Sequence, residues 1–216
     1  MIIGLDDTDS RAGMCTTYLC AVLVDELEQY GYGTVSIPRL VRLNPCIPFK
    51  TRGNGALSFE IRIAPGKERE VKELVKARVR ELAELHEEET NPGVVFIPEA
   101  ALRAIHEGGS GEENECIVKL KNFYETAVRG VLRIEEAHAL ISELGFEHFG
   151  LKNERGIIGA LAAASFLVVQ QCDPSLYDFT YELMVYREQK RWGTPRVIDE
   201  ASVWRADEAT YPLTWD

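Results

Sequence analysis

The chain opens on a short apolar run, Met1 to Leu5, of the kind that fills a buried strand. It turns sharply polar at Asp6-Asp7-Thr8-Asp9-Ser10. From Cys15 to Tyr30 the apolar positions Leu19, Val22, Leu23 and Leu27 recur at helical spacing, with Thr16 or Thr17 as candidate caps and Gly31-Tyr32-Gly33 as the stop. Val35 to Leu43 reads as a second strand, which Pro45 and Pro48 end. Leu57 to Ile63 alternates like a half-buried strand. Glu68 to Glu88 predicts an amphipathic helix, with Val71, Leu74, Val75, Val79, Leu82 and Leu85 on one face and solvated charge on the other. Thr90-Asn91-Pro92-Gly93 is a turn into a strand from Val94 to Ile97. Glu107 to Glu115 reads as a Gly- and acid-rich surface loop, and Leu120 to Gly145 as mostly helix. Lys152 to Arg155 is a polar turn before a small-residue helix from Gly156 to Val169, and Phe179 to Tyr186 alternates like a strand. Strands alternating with helices predict an α/β or mixed α+β protein, with no strand order written in the pattern.

Composition narrows the class. A chain of 216 residues has room for one large domain, or one with an insertion, and needs no disulfide or metal staple to build a core. Hydrophobic residues at 45% and charged residues at 27% exclude wholesale disorder. The formal charge of −11 suits phosphate backbones poorly, so nucleic-acid contact has to come from a local basic patch or another domain. No secretory leader is visible, and the longest apolar stretch, Gly156 to Val169, falls short of the ~20 residues that span a bilayer. The expectation is a cytoplasmic protein with no membrane partner. Five cysteines without a CxxC pair predict neither a disulfide framework nor a zinc site in this chain. After Arg187 the pattern weakens and no closing element precedes Asp216, which reads as a truncation or a junction to another domain.

Four features carry chemistry. Asp6, Asp7 and Asp9 crowd three carboxylates at the exit of a strand, where open α/β sheets place ligands. The like charges repel, so the cluster is either a solvated acidic turn or a Mg²⁺ site. Between Glu28 and Glu60 there is no acidic residue, while Arg39, Arg42, Lys50 and Arg52 all fall inside. Within that window Lys50-Thr51-Arg52-Gly53-Asn54-Gly55 joins cations to glycines that let backbone N–H groups approach an anion, and the same residues also suit a hairpin turn. Thr16 and Thr17, at a helix start, can cap it, touch a phosphate or accept a phosphoryl group. Arg155 can reach a phosphate beside Gly156 and Gly159, which allow close packing against a backbone or a ligand, packing being the first reading for Gly159. The four histidines show no metal-ligand spacing and receive no role. Carboxylates for Mg²⁺ and a basic glycine loop together describe a site for a Mg-nucleoside triphosphate.

These motifs resemble the archaeal tRNA(Ile2) 2-agmatinylcytidine synthetase family. The resemblance rests on Gly4-Leu5-Asp6-Asp7-Thr8-Asp9-Ser10 with Gly13-Met14-Cys15-Thr16-Thr17-Tyr18, then on Arg42-Leu43-Asn44-Pro45 and Ile47-Pro48-Phe49-Lys50-Thr51-Arg52-Gly53-Asn54-Gly55-Ala56. Thr90 to Gly93, Arg155 to Ala160, Tyr181-Glu182-Leu183, Tyr186-Arg187 and Trp192-Gly193-Thr194 follow in the family's order. The resemblance implies an ATP-dependent ligase that joins agmatine to C2 of the wobble cytidine through a phosphorylated cytidine, agmatine displacing the phosphate. It implies a kinase-like ATP-binding domain of unusual fold, autophosphorylated at Thr16, with Asp6, Asp7 and Asp9 holding Mg²⁺ and with Thr17, Arg42, Lys50, Thr51, Arg52, Gly53, Asn54, Gly55, Arg155 and Gly156 at ATP phosphates. Residues 1–63 and 130–190 are expected to form that domain, 64–129 an insertion or part of a ferredoxin-like domain, and 191–216 a tail or the start of the next domain. Members of the family run to about twice this length (length against domain count), continuing into an OB-fold and a zinc ribbon that hold tRNA(Ile2). The chain is therefore expected to be the N-terminal catalytic portion or a shortened relative. A stand-alone Mg-ATP phosphotransferase and a non-catalytic nucleotide-binding module are the alternatives.

Overall fold

The computed structural model describes residues 1–51, 53–109, 113–173, 194–195 and 199–211. The elements run β1 (Ile2–Asp6), α1 (Thr16–Gln29), β2 (Gly33–Val35), β3 (Arg39–Arg42), β4 (Gly55–Ile63), α2 (Glu68–Leu82), β5 (Gly93–Ile97), α3 (Glu99–Glu107), α4 (Glu115–Arg129), α5 (Ile134–Glu143), β6 (Glu147–Gly150), α6 (Gly156–Cys172) and α7 (Glu200–Thr210). The expected strand from Phe179 to Tyr186 lies outside the described residues, as does Arg52.

Mixed α+β architecture holds, and every strand pairing among the described residues is antiparallel. The order is β2-β4-β1-β5-β6, with β3 on β4 beyond β2. The rule that placed a ligand at the strand exit belongs to parallel sheets, so the aspartates owe their place to something else. The expected strand from Val35 to Leu43 is broken in two. Between Val35↔Ile61 and Arg39↔Ser58 there are four steps on one strand and three on β4, a one-residue slip. Pro38 sits in the break, where its missing N–H costs no ladder bond. The slip is closed by the Glu60 amide donating to Ser36 Oγ at 2.9 Å.

Alternation along β1 sorts side chains onto two cores. Ile3 and Leu5 join Phe59, Ile61, Val94 and Phe96 under α1 and α2. Ile2, Val95 and Ile97 join α3, α4, α5 and α6 on the other face. Both faces are covered, which is why β1 and β5 read as unbroken apolar runs. Helix α6 lies between the sheet and α4, is buried on nearly every side, and is accordingly apolar all round. Its approach to the sheet is set by Gly4, where any Cβ would lie 2.0 Å from the Ala160 carbonyl oxygen. Ser58 Oγ also donates to the Ala163 carbonyl at 2.8 Å.

Three other expectations change. Helix α2 stops at Leu82 rather than Glu88, because the next residues turn back and the Glu84 amide donates to the Thr8 carbonyl at 3.1 Å. The small-residue helix runs on to Cys172. Three elements are new: α3, which starts directly after Pro98, the half-exposed edge strand β6 on β5, and α7, which falls where the sequence showed no closing element. No helix among the described residues is long and apolar enough to cross a membrane, and all five cysteines are free thiols.

Candidate active site

The last residue of β1, Asp6, shares its face of the strand with Ile2 and Gly4 and so points at α6. Room for its carboxylate exists only because residue 159 is glycine: a Cβ there would stand 1.9 Å from Asp6 Oδ2. Gly156 makes the same kind of room nearer the start of α6, where a Cβ would meet the Gly93 nitrogen at 2.5 Å and the Asp6 carbonyl oxygen at 2.7 Å. Gly159, for which packing was the first reading, packs against the Asp6 carboxylate, and Gly156 packs against the Gly93, Asp6 and Asn91 backbone.

After Asp6 the chain bends at Asp7, which adopts φ 58. The Asp7 carboxylate accepts from the Asn91 amide at 3.2 Å and lies 3.9 Å from Arg155 Nη2. Asp9 accepts from Thr51 Oγ1 at 3.1 Å, and its carbonyl accepts from Thr90 Oγ1 at 2.7 Å. Burial, together with the neighbouring carboxylates of Asp7 and Asp9, holds the Asp6 carboxyl well above the usual carboxylate range. Burial also pushes Asp7 up to about 6, against the opposing pull of the Arg155 charge and the Asn91 amide. These two groups hold their negative charge at a cost that a cation relieves.

Helix α1 begins across the same opening. Cys15 rather than a threonine is its N-cap, and it makes no side-chain cap bond. Thr16 is 6% exposed and accepts from the buried Thr8 hydroxyl at 3.1 Å, while Thr17 Oγ1 is paired with Cys15 Sγ at 2.7 Å. Both threonines are thus freed from capping, contrary to the first expectation for them.

The loop between β3 and β4 forms the opposite wall. Arg155 pins it by donating to the Phe49 carbonyl at 3.0 Å, with its guanidinium 4.7 Å from the Phe49 ring centre. Lys50 Nζ donates to the Pro45 carbonyl within the loop. Asn54 Nδ2 donates to the Asn44 carbonyl at 2.8 Å, so its side chain braces the loop. The whole encloses a cavity of about 840 Å³. Its walls include Asp6, Asp7, Asp9, Thr16, Thr17, Arg42, Lys50, Thr51, Gly53, Asn54, Gly55, Arg155 and Gly156. Every candidate residue from the sequence lies on one cavity except Arg52, which is outside the described residues.

Residues 2–153 match the family described as the TiaS TCKD domain. The chain belongs to the TiaS family. The TiaS FLD domain matches the remainder, residues 154–216. Among TiaS relatives, the tRNA(Ile2) 2-agmatinylcytidine synthetase of Methanosarcina mazei is 47% identical over 220 residues, covering 100% of this chain and 46% of that protein. Its Archaeoglobus fulgidus counterpart is 41% identical over 214 residues, covering 99% of this chain and 45% of that protein. A solved TiaS–tRNA(Ile2)–ATP complex superposes with a TM-score of 0.75 at 41% identity, over 99% of this chain and 45% of that one. A TiaS–tRNA(Ile2)–AMPCPP–agmatine complex gives 0.73 at 40% identity, over 99% of this chain and 46% of that one. The chain therefore spans about half the length of the TiaS relatives it matches.

In this TiaS-family chain one wall of the cavity escaped the sequence reading. The turn between α4 and α5 contributes Gly130, Val131, Leu132 and Arg133, tied across by Asn44 Nδ2 donating to the Gly130 carbonyl at 2.7 Å. Gly130, inside the stretch read as mostly helix, was its one signal in the sequence, and Val131 beside it is 65% exposed. Leu40, Leu43, Ile47 and Ile158 add apolar lining beside the charged groups.

Proposed function

We propose that this chain supplies the ATP-binding catalytic site of a tRNA(Ile2) 2-agmatinylcytidine synthetase. The observation that carries the reading is the single cavity in which the aspartate cluster, Thr16 and the basic β3–β4 loop meet, in a chain of the TiaS family. Lys50, Arg42, Arg155 and the Gly53–Gly55 backbone face the phosphates of ATP, and the apolar lining suits its base. The N-termini of α1 and α6 both border the cavity and favour anions there.

The donor set fits Mg²⁺. It consists of hard carboxylate oxygens on Asp6, Asp7 and Asp9, two of them with raised pKa for want of compensating charge. Bound there, Mg²⁺ neutralises charge on carboxylates and phosphates together. Thr16 is the phosphoryl acceptor: its Oγ forms a bond to the γ-phosphorus, the bond from that phosphorus to the bridging oxygen breaks, and ADP departs. The Thr16 proton passes to the aspartate cluster, and Thr8, which donates to Thr16 Oγ, leaves the Thr16 hydrogen free to point elsewhere. In the complete protein the same site activates the wobble cytidine as a phosphate ester, which the amine of agmatine then displaces at C2. tRNA(Ile2) is held by domains beyond this chain, in keeping with its charge of −11.

Incubation with Mg-ATP, followed by intact mass and peptide mapping, tests the reading. One added phosphate, on Thr16, is expected. Bound but intact ATP on unmodified protein would overturn the acceptor role and leave a nucleotide-binding module.

A further inference from the structure

Outside the cavity one cluster of metal-ligating side chains stands out among the described residues. His138 on α5, His148 on β6 and Glu154 in the turn before α6 offer donor atoms that all lie within 4.8 Å of one another. His138 Nε2 is 3.1 Å from Glu154 Oε1, and the two imidazoles meet edge to face with centres 4.9 Å apart. The expectation of no zinc site rested on spacing along the chain, whereas these three donors converge only in space.

The backbone aims the carboxylate. Glu154 adopts φ 50, a left-handed conformation that is costly for a residue with a Cβ. Its Cβ is seated against residue 150, where anything but glycine would place a Cβ 2.2 Å away. His138 and Glu154 are about one-third exposed and His148 is exposed, so the cluster is reachable by an ion and leaves positions open to water. Two imidazoles with one carboxylate is the donor set of open zinc sites, and imidazole nitrogen selects against Mg²⁺. Tetrahedral zinc spaces its donors about 3.3 Å apart. The His138–Glu154 pair, at 3.1 Å, already has that spacing, and the exposed His148 offers its nitrogen within 4.8 Å of both.

We propose that His138, His148 and Glu154 form a binding site for a borderline divalent transition ion of the Zn²⁺ class, separate from the aspartate cavity. The ion staples α5 and β6 to the turn whose next residue is Arg155, and so stiffens the segment that carries Arg155 to the cavity wall.

The test is titration of the metal-stripped chain with Co²⁺ as a spectroscopic probe, followed by displacement with Zn²⁺. With excess Mg²⁺ present to fill the aspartate cluster, one equivalent of Co²⁺ with a visible ligand-field band is expected, lost on adding Zn²⁺. His148→Ala should bind at least about tenfold more weakly, and so should Glu154→Gln, which keeps the side-chain shape. Cys46→Ala, which removes the exposed thiol, should bind as the parent does. The exposed position of His148 keeps that variant folded, which an unchanged melting temperature in EDTA checks. Absence of the Co²⁺ band, or equal affinity in His148→Ala and Glu154→Gln to that of the parent, overturns the site and leaves an ordinary His–Glu hydrogen bond.

Discussion

Gly159→Ala isolates the geometric core of the site. The new Cβ would lie 1.9 Å from Asp6 Oδ2 and 2.7 Å from Asp6 Cγ, where ordinary contact begins at 3.4 Å. Something must give by about 1.5 Å in an interior packed as densely as a crystal. Strand β1 cannot retreat, because it is hydrogen-bonded to β4 on one side and β5 on the other. Nor can α6, since α4 backs it on the side away from the sheet and the Gly156 amide donates to the Asn91 carbonyl at 2.9 Å. The Asp6 carboxylate is the group that moves. Overpacking of this kind costs ~1–3 kcal/mol, and alanine returns about 1 kcal/mol in helix propensity. The net loss of up to about 2 kcal/mol lowers the melting temperature by at most about 8 °C. Function should suffer far more, since a misplacement near 1 Å costs on the order of 100-fold in rate. The assay pairs a thermal melt with Mg²⁺-dependent phosphorylation of Thr16, run well below the melt. Parental rates in folded Gly159→Ala would refute the claim that this glycine sets the Asp6 position.

Three further outcomes follow from the same geometry. Asp9→Asn should lower ATP turnover by at least about 100-fold with circular dichroism unchanged, and full activity in it would remove the aspartate assignment. Because the Asp7 carboxyl is raised to about 6 in the fold, its charged form opposes folding, so this group's penalty appears as pH rises through 4 to 6 and disappears on acidification. That penalty is up to about 3 kcal/mol at neutral pH, so Mg²⁺ should raise the melting temperature more at pH 7.5 than at pH 5. A pH-independent Mg²⁺ effect would count against the cluster. The isolated chain should retain tRNA only weakly and without sequence preference in filter binding at physiological salt, and tight, specific retention would place the tRNA determinants within it.

What the sequence made legible was local. Strand β1 declared itself because both its faces are buried, and α6 because apolar residues cover its whole circumference. The acidic loop and the glycine loop were legible because their composition breaks with the rest of the chain. Contacts made at a distance were not legible. The α4–α5 turn reaches the cavity through Asn44 and Gly130, 86 positions apart, and nothing local to either residue marks that bond. Strand β6 is four residues with an exposed glutamate and histidine, too short to show alternation. The register slip at Pro38 was half legible: the proline was visible, but the slip exists only relative to β4. His138, His148 and Glu154 failed the spacing test for the same reason, since each comes from a different element.

The two packing extremes of the molecule are adjacent, and their adjacency explains the cluster. Left to itself, a trio of carboxylates with two raised pKa values would relax by rotating into solvent or pulling the strand end apart. Neither relaxation is open. Asp6 is anchored by a strand paired on both sides and capped by a helix whose glycines leave room for a carboxylate and nothing larger. Asp7 is held in a left-handed turn by the Asn91 amide. The apolar mass of α6, buried between α4 and the sheet, supplies the stability that keeps this repulsion in place. Strain maintained so thoroughly, beside a threonine freed from its capping role, is the physical ground on which the proposed cation and phosphate site rests.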